Sequence, residues 1–172
     1  MQYENVIFPD SVGFQCKNCG VCCRNQPPDI NLKEKHEIES EGFKNFLEKP
    51  TNPSNRNIRR NKDGSCFFLT DENKCKINAI KPVICILEPF IIKDFDYRTN
   101  RIILGLNPLA SINCKGIITG DINSLKEIVN AAQTIVKEFS EIIAEKTGFP
   151  VTDKKVALLT KKLLRELNSS DN

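Results

Sequence analysis

The sequence predicts an α+β fold, in which a small irregular cysteine-rich metal-binding region with short β-strands packs against C-terminal α-helices. All eight cysteines fall within residues 1–114, among frequent turn-forming residues. Two short apolar runs in the same part of the chain have the length of strands. From residue 121 onwards, apolar residues recur at helical spacing and cysteine is absent. We therefore expect a cysteine-cluster domain at residues 1–118 and a helical extension packed on it at residues 119–172.

Composition and charge limit the classes of partner. Hydrophobic residues make up 40% and charged residues 27% of the 172-residue chain, which is a globular balance. The net charge of +3 is spread along the chain, so we expect neither nucleic acid nor a membrane surface as a partner. No apolar run approaches the roughly 18 residues of a membrane helix, and Pro9 interrupts the apolar stretch near the N-terminus. These features predict a cytoplasmic protein with reduced thiols.

A helix is predicted after the first cysteine-rich loop. Asn31 is a suitable N-cap, and Glu34 completes a capping-box-like pair three residues later. Apolar residues continue roughly on one face as far as Leu47, with Gly42 as a potential interruption. Pro50 ends the pattern.

Two short strands are predicted later in the cysteine-rich region. Residues 89–92 and residues 101–104 are apolar runs joined by a polar loop. Asn107 and Pro108 close this part of the chain, and Cys114 follows in an irregular stretch.

The C-terminal third is predicted to be helical. A long amphipathic helix begins after Asp121, a suitable N-cap, and ends at Gly148 and Pro150. Its apolar face comprises Leu125, Ile128, Val129, Ala132, Ile135, Val136, Phe139, Ile142 and Ile143. A shorter helix is predicted from about Asp153. We interpret the apolar face as core, with a dimerisation or protein-partner surface as the alternative.

The most informative feature is the cysteine pattern. A C-x-x-C-x-x-C-C run in the first loop is followed by four separated cysteines. The complete set is Cys16, Cys19, Cys22, Cys23, Cys66, Cys75, Cys85 and Cys114. A spacing of two residues lets a tight turn direct both sulfurs at one point. In a reduced compartment this pattern predicts metal ligands rather than a disulfide framework.

The adjacent residues Cys22 and Cys23 suggest more than one metal position. Neighbouring side chains diverge in extended structure, so one of the two is expected to serve a first site. The other is expected to turn toward a second site or a bridging position. Four local and four distant thiols fit two four-cysteine centres or one polynuclear centre. Spacing alone does not assign the distant cysteines to either site.

The identity of the metal stays open between iron and zinc. A run of three cysteines with remote additional cysteines is typical of ferredoxin-type ligation, so the pattern favours an iron–sulfur cluster of the 4Fe–4S type. Zinc is the alternative, because Cys16 and Cys19 would also form half of a zinc ribbon. Single cysteines such as Cys66 or Cys114 are also compatible with a role as small buried hydrophobes.

The chain resembles the YkgJ-type cysteine-cluster proteins, a family regarded as zinc- or iron-chelating. The C-x-x-C-x-x-C-C run is the signature of that family, and residues 66–69 are similar to its Cys-Pro-Phe-Leu segment. Residues 75–85 resemble its Cys-x-Ile-Tyr-x-x-Arg-Pro-x-x-Cys segment, and residues 89–90 match the Pro-Phe that follows. The resemblance covers roughly residues 14–114 and implies that the cysteines are metal ligands.

Residues around the cysteines depart from the pattern of that family. Asn78 stands in place of tyrosine, Lys81 and Ile86 in place of arginine, Phe67 in place of proline, and Glu88 in place of phenylalanine. A reaction or partner contact that depends on those family residues is therefore not carried over to this chain.

Two weaker signals are interpreted as ordinary features. His36 is the sole histidine and lies in the first predicted helix, so we interpret it as a surface or core-edge residue rather than a zinc ligand. Arg56, Arg59, Arg60 and Lys62 form a basic group that we interpret as a solvated hairpin rather than a phosphate site.

The sequence favours a metal-binding protein with a structural, electron-transfer or redox role. It contains no phosphate-binding glycine loop and no dinucleotide fingerprint, so an enzyme acting alone is not predicted. The cysteine signature also occurs in flagellin lysine methylases, so the resemblance implies a relative or component of a protein lysine methyltransferase as one alternative. A metal-delivery factor is the other alternative.

Overall fold

The computed structural model describes residues 5–25, 27–49, 56–96, 99, 101–119 and 125–147. Within these residues the strands are β1 (Val6–Ile7), β2 (Val12–Phe14), β3 (Phe90–Asp96), β4 (Arg101–Leu106) and β5 (Ile117–Thr119). The α-helices are α1 (Val21–Asn25), α2 (Leu32–Ser40), α3 (Val83–Leu87), α4 (Pro108–Asn113) and α5 (Lys126–Thr147), and a 3-10 helix spans Asn78–Ile80. The predicted α+β fold class is confirmed.

The strands form two small sheets. In the first sheet the strand order is β1-β4-β3, with β1 parallel and β3 antiparallel to β4. The β3–β4 register runs from Phe90 opposite Leu106 to Asp96 opposite Arg101. In the second sheet β2 is antiparallel to β5. The two predicted strands are therefore confirmed, and both continue beyond the apolar runs.

A first hydrophobic cluster joins the larger sheet to α3 and α5. Its buried members are Val6, Leu87, Phe90, Ile102, Leu104, Leu125, Ile128, Val129, Ala131 and Ala132. Leu125 directly precedes α5, and the members within that helix recur at three- and four-residue spacing. The Gln133 side-chain amide also donates to the Asn5 side-chain oxygen at 2.9 Å. The apolar face predicted for the C-terminal helix is thus core from Leu125 to Ala132.

A second hydrophobic cluster lies in the cysteine-rich part. Its buried members are Ile30, Ile38, Phe46, Ile58, Cys66, Phe68 and Ile77. The Phe68 ring packs against Phe43 and Phe46, with centroid distances of 5.2 and 5.5 Å. Isolated bridges, such as Leu47 opposite Ile58, connect the backbone here. Because no periodic pattern accompanies such bridges, the sequence did not predict them, and Leu47 was expected in the first helix instead.

Helix α2 begins as predicted and ends earlier. The Asn31 side-chain oxygen accepts from the Glu34 N–H at 2.8 Å, and Glu34 Oε2 accepts from the Asn31 N–H at 2.9 Å. This capping box fixes the first turn. Gly42 has a φ of +89°, a conformation that favours glycine and stops the helix. The helix predicted as far as Leu47 is therefore confirmed only up to Ser40.

Several predictions fall outside the described residues. They concern the N-cap Asp121, the helix end at Gly148 and Pro150, and the shorter helix from Asp153. The domain division at residue 118 stays a prediction, and the first hydrophobic cluster contains residues from both sides of it. None of the described helices combines the length and the hydropathy of a transmembrane span.

Candidate metal centre

All eight cysteines line one cavity of about 410 Å³. Each of them is a free thiol in this structure. The cavity walls include Ile58, Phe68 and Ile77 of the second hydrophobic cluster. They also include Phe14 and Ile86, which pack against the first cluster. Cysteines that are far apart in the sequence therefore meet where the two clusters face a common space.

The smaller sheet brings Cys114 to the first cysteine loop. Strands β2 and β5 pair, and just beyond them the Gln15 N–H donates to the Gly116 carbonyl at 2.8 Å. Cys16 follows Gln15 directly, while Cys114 is two residues before Gly116 and forms the C-cap of α4. Helix α4 also contacts α1, which carries Cys22 and Cys23. These contacts place Cys114 beside the C-x-x-C-x-x-C-C loop.

Left-handed backbone positions shape the turn of this loop. Asn18 has a φ of +49° and Gly20 a φ of +71°. The Arg24 guanidinium donates to the Gly20 carbonyl at 3.3 Å and occupies the space that a Cβ at Gly20 would need. Glycine at position 20 therefore allows both the turn and the close approach of Arg24.

Backbone hydrogen bonds bring Cys23, Cys66 and Cys75 together. The Cys66 N–H donates to the Cys23 carbonyl at 2.7 Å, and the Leu69 N–H donates to the Cys66 carbonyl at 2.9 Å. Leu69 then faces Cys75 across an isolated bridge. Cys66 is buried in the second hydrophobic cluster, and Cys23 and Cys75 pack against that cluster. These contacts place the three cysteines next to one another in the cavity wall.

Helix α3 supplies Cys85 to the cavity wall. The helix begins after Pro82, and the Cys85 N–H donates to the Pro82 carbonyl at 2.9 Å. Burial raises the pKa of the Cys85 thiol, and negative charge on Cys66, Cys75 and Cys22 raises that pKa further. Cys85 is therefore within electrostatic reach of thiols from three other parts of the chain.

Cys22 and Cys23 lie side by side in α1, with their sulfur atoms 4.0 Å apart. The expectation that the two side chains diverge assumed an extended backbone; in the helix they point about 100° apart around the axis, and their sulfur atoms still lie within 4.0 Å. Two thiolates on one tetrahedral zinc are about 3.8 Å apart when each Zn–S bond is about 2.3 Å. One metal ion, or two neighbouring ions, can therefore contact the pair. The hydrogen bond between the thiols lowers the pKa of Cys22 to about 7 and raises the pKa of Cys23.

The electrostatic environment of the thiols favours a bound cation. Burial raises the pKa of Cys66, Cys75 and Cys114. At Cys114, negative charge on Cys19 and Cys22 adds to this effect. Desolvation and mutual repulsion both disfavour a set of bare thiolates, and a metal cation compensates for both. The chemistry of the donor set therefore fits a thiolate-bound metal.

The thiols surround the cavity rather than a common point. Among the described residues, no group of three histidine, cysteine, aspartate or glutamate side chains is close enough to hold a metal ion. The sulfur ligands around the cavity are nevertheless the type that iron–sulfur clusters and zinc take. Metal binding by three or more thiols therefore requires side-chain rotation toward the centre of the cavity.

The cavity has an exposed side and a buried side. Cys16 and Cys22 are exposed to solvent. Cys66 is only 7% exposed. The remaining cysteines are half-buried. Solvent therefore reaches the first loop more readily than the second hydrophobic cluster.

Two charged residues that the sequence marked only as departures from a family pattern also line the cavity. The positive charge of Lys81 favours the thiolate forms of nearby cysteines such as Cys75. Glu88 Oε1 accepts from the Asn107 side-chain amide at 3.2 Å, while its Oε2 has no hydrogen-bond partner within the described part of the chain. Burial raises the pKa of Glu88. The unusual residue types were visible in the sequence, but their position beside the thiols was not.

The remaining residues considered from the sequence lie elsewhere. His36 is exposed on α2 and is not part of the cavity walls. The Arg56 side chain donates to the Ile30 carbonyl at 2.9 Å, and the Arg59 guanidinium lies 4.2 Å from the centroid of the Phe67 ring. Arg59 is exposed, as expected of a solvated basic group, and both arginines also make contacts within the chain.

Comparison with known proteins supports a metal-binding role. The model of the CxxCxxCC family, described as "Putative zinc- or iron-chelating domain", matches residues 15–102. The chain is also similar to the uncharacterized protein MJ0661 of Methanocaldococcus jannaschii. The two are 26% identical over 137 residues, which cover 76% of this chain and 72% of that protein. No solved structure matches the chain. The matched family segment contains every cysteine except Cys114.

Proposed function

Since the chain belongs to the CxxCxxCC family of zinc- or iron-chelating domains, we propose that its cysteines hold an iron–sulfur centre with a structural, electron-transfer or redox role. One observation carries this proposal. All eight thiols line a single cavity, although they come from separate loops and helices. Thiols that only filled hydrophobic space would have no reason to collect around one opening.

The number of thiols and the size of the cavity support iron–sulfur over a single zinc. A structural zinc takes four ligands, so one zinc would leave half of the thiols without a metal. A cavity of about 410 Å³ also exceeds the space that one ion among four sulfurs needs. The run Cys16, Cys19 and Cys22 with remote cysteines follows the way in which clusters are commonly ligated.

The residues around the thiols suit a site whose charge changes. An iron–sulfur cluster, when bound, accepts and releases single electrons. Phe68 and Ile77 exclude water from one side of the cavity. Lys81 places a positive charge near the thiolates, which favours a more negative, reduced centre, whereas an ionised Glu88 opposes it. Both side chains are therefore expected to influence the reduction potential.

Metal delivery is a second candidate, and one observation favours it. Cys16 and Cys22 are exposed, so part of the donor set is open to an acceptor or a chelator. A delivery factor would release its metal readily and stay folded, whereas a structural centre would resist chelation and unfold on metal loss. Release of all metal under mild chelation, without loss of helical structure, would favour delivery.

The test is purification without oxygen, followed by visible absorption spectroscopy and analysis of iron, zinc and acid-labile sulfide on one sample. We expect a brown protein that contains iron and sulfide and loses colour with dithionite. A colourless protein with stoichiometric zinc would overturn the iron–sulfur proposal but leave metal binding in place. Absence of metal after anaerobic reconstitution would overturn both.

Matched variants make this test specific. His36→Ala removes the sole histidine, which is exposed and away from the cavity, so it should leave metal content unchanged. Cys85→Ala removes one thiol from the cavity and should reduce metal content.

Thermal unfolding with and without S-adenosylmethionine tests the methyltransferase alternative, because a specific ligand raises the unfolding temperature.

A further inference from the structure

All eight cysteines line the cavity, and we assign them to two groups of four by their exposure and by the backbone contacts that hold them. The outer group comprises Cys16, Cys19, Cys22 and Cys114. The inner group comprises Cys23, Cys66, Cys75 and Cys85. We propose that each group binds its own metal centre, so that the protein holds two adjacent four-thiolate centres that differ in accessibility. This inference rests on the proposed function and assigns ligands that spacing alone leaves unassigned.

The outer group is assembled by the smaller sheet and two short helices. The bond from the Gln15 N–H to the Gly116 carbonyl continues the β2–β5 ladder to the start of the cysteine loop. Cys114 caps α4, and α4 contacts α1, which carries Cys22. Cys16 therefore approaches Cys114 through the sheet, and Cys22 approaches it through the helices.

The inner group is assembled by the second hydrophobic cluster. The bond from the Cys66 N–H to the Cys23 carbonyl, at 2.7 Å, ties α1 to this cluster. The bridge between Leu69 and Cys75 adds the third cysteine. Cys85 joins from α3, whose first residue donates its N–H to the Glu34 side chain of α2 at 2.7 Å, and α2 contributes a buried residue to the same cluster. None of these connections involves the smaller sheet.

The Cys22–Cys23 pair lies at the boundary between the groups. Successive side chains of a helix point about 100° apart around its axis, so the side chains of adjacent residues point in different directions. The backbone of Cys23 is bonded to the inner group, whereas Cys22 is exposed together with Cys16. The two sulfurs are nevertheless only 4.0 Å apart. The two centres are therefore neighbours, and a change of charge at one centre is expected to influence the electrostatics of the other.

Exposure gives the two centres different chemical behaviour. The outer group contains both exposed cysteines, Cys16 and Cys22, while no inner cysteine is exposed. Cys66 of the inner group is a member of the hydrophobic core. Chelators and oxidants in solution should therefore reach the outer centre first. The outer centre is the exchangeable one, and the inner centre is the one that retains its metal longer.

The decisive experiment compares the wild type with the double variant Cys16→Ala/Cys114→Ala, which removes two outer ligands that belong to neither hydrophobic cluster. Protein reconstituted without oxygen is exposed to a chromogenic chelator, and metal per chain and its release are followed. The wild type should release metal in two phases. The variant should hold about half as much metal and should lack the fast phase, because only the four inner ligands remain complete.

A reciprocal variant tests the inner group. Cys85→Ala should lose the slowly released half, and circular dichroism checks that its helices remain. If the double variant loses all of its metal while staying folded, the eight thiols form one polynuclear centre and the inference is wrong. Single-phase release from the wild type would also overturn it. A wild type without metal would instead remove the proposed function itself.

Discussion

At the scale of single residues, the hydrogen bond between the Cys22 and Cys23 thiols makes two neighbouring cysteines unequal. It lowers the pKa of Cys22 to about 7 and raises the pKa of Cys23. The thiolate is the form that attacks electrophiles and binds metals, so Cys22 is the more reactive of the pair in metal-free protein. Cys22 is also exposed. The sequence alone presents the two residues as equivalent, because it does not contain their sulfur–sulfur distance.

We predict that iodoacetamide alkylates Cys22 of the reduced, metal-free protein first at pH 7, at least about tenfold faster than Cys66, since lower pKa and greater exposure both favour reaction. The pKa of Cys66 is raised by burial, so its thiolate fraction is small. Because the pKa of Cys22 is about 7, its alkylation should slow as the pH falls below that value. Time-resolved peptide mass spectrometry measures both rates.

The control for this prediction is Cys23→Ala, which removes the hydrogen-bond partner of Cys22 and leaves Cys22 in place. Alkylation of Cys22 should then be slower at pH 7, because its pKa returns toward that of an ordinary thiol. Equal alkylation rates for Cys22 and Cys66 in the parent protein would contradict the account of this pair.

At the scale of secondary-structure elements, capping residues in the sequence predicted where helix α2 starts, but the contacts that helices make with distant parts of the chain could not be predicted. The Asn31–Glu34 capping box was predictable because both partners lie within one turn. The second role of Glu34 was not predictable, because its Oε1 accepts from the N–H of Val83, at 2.7 Å, and so joins α2 to the start of α3. The apolar face of α5 was predictable from its period, whereas the isolated bridge of Leu47 with Ile58 has no period to detect.

We predict that Leu125→Ala destabilises the protein by about 2–5 kcal/mol, because it opens a cavity in the first hydrophobic cluster where the side chain is fully buried. Leu109→Ala is a matched control, since Leu109 on α4 is 56% exposed. The control should change the free energy of unfolding by less than about 0.5 kcal/mol. Urea unfolding of the metal-loaded variants, followed by circular dichroism, makes the comparison. Equal losses would contradict the assignment of Leu125 to the core.

At the scale of the whole molecule, the cavity depends on contacts between distant parts of the chain. The sequence identified all eight cysteines and the metal-binding character of the family, because residue type and spacing carry that information. It did not assign the distant cysteines to groups. That assignment depends on the β2–β5 pairing near Cys114 and on the bond from Cys66 to Cys23, which have no local signature. The positions of Lys81 and Glu88 on the cavity wall depend on the same long-range packing.

The central claim is that the cysteines bind metal as thiolates, and native mass spectrometry of anaerobically purified protein tests it most directly. We expect a native mass that exceeds the 19.5 kDa of the polypeptide by the mass of the bound metal, together with inorganic sulfide for an iron–sulfur centre. After denaturation and chelation, the mass should return to that of the polypeptide, with all eight cysteines open to alkylation. A native mass equal to the bare polypeptide after reconstitution would contradict the claim. So would a denatured mass lowered by the hydrogen loss of disulfide formation.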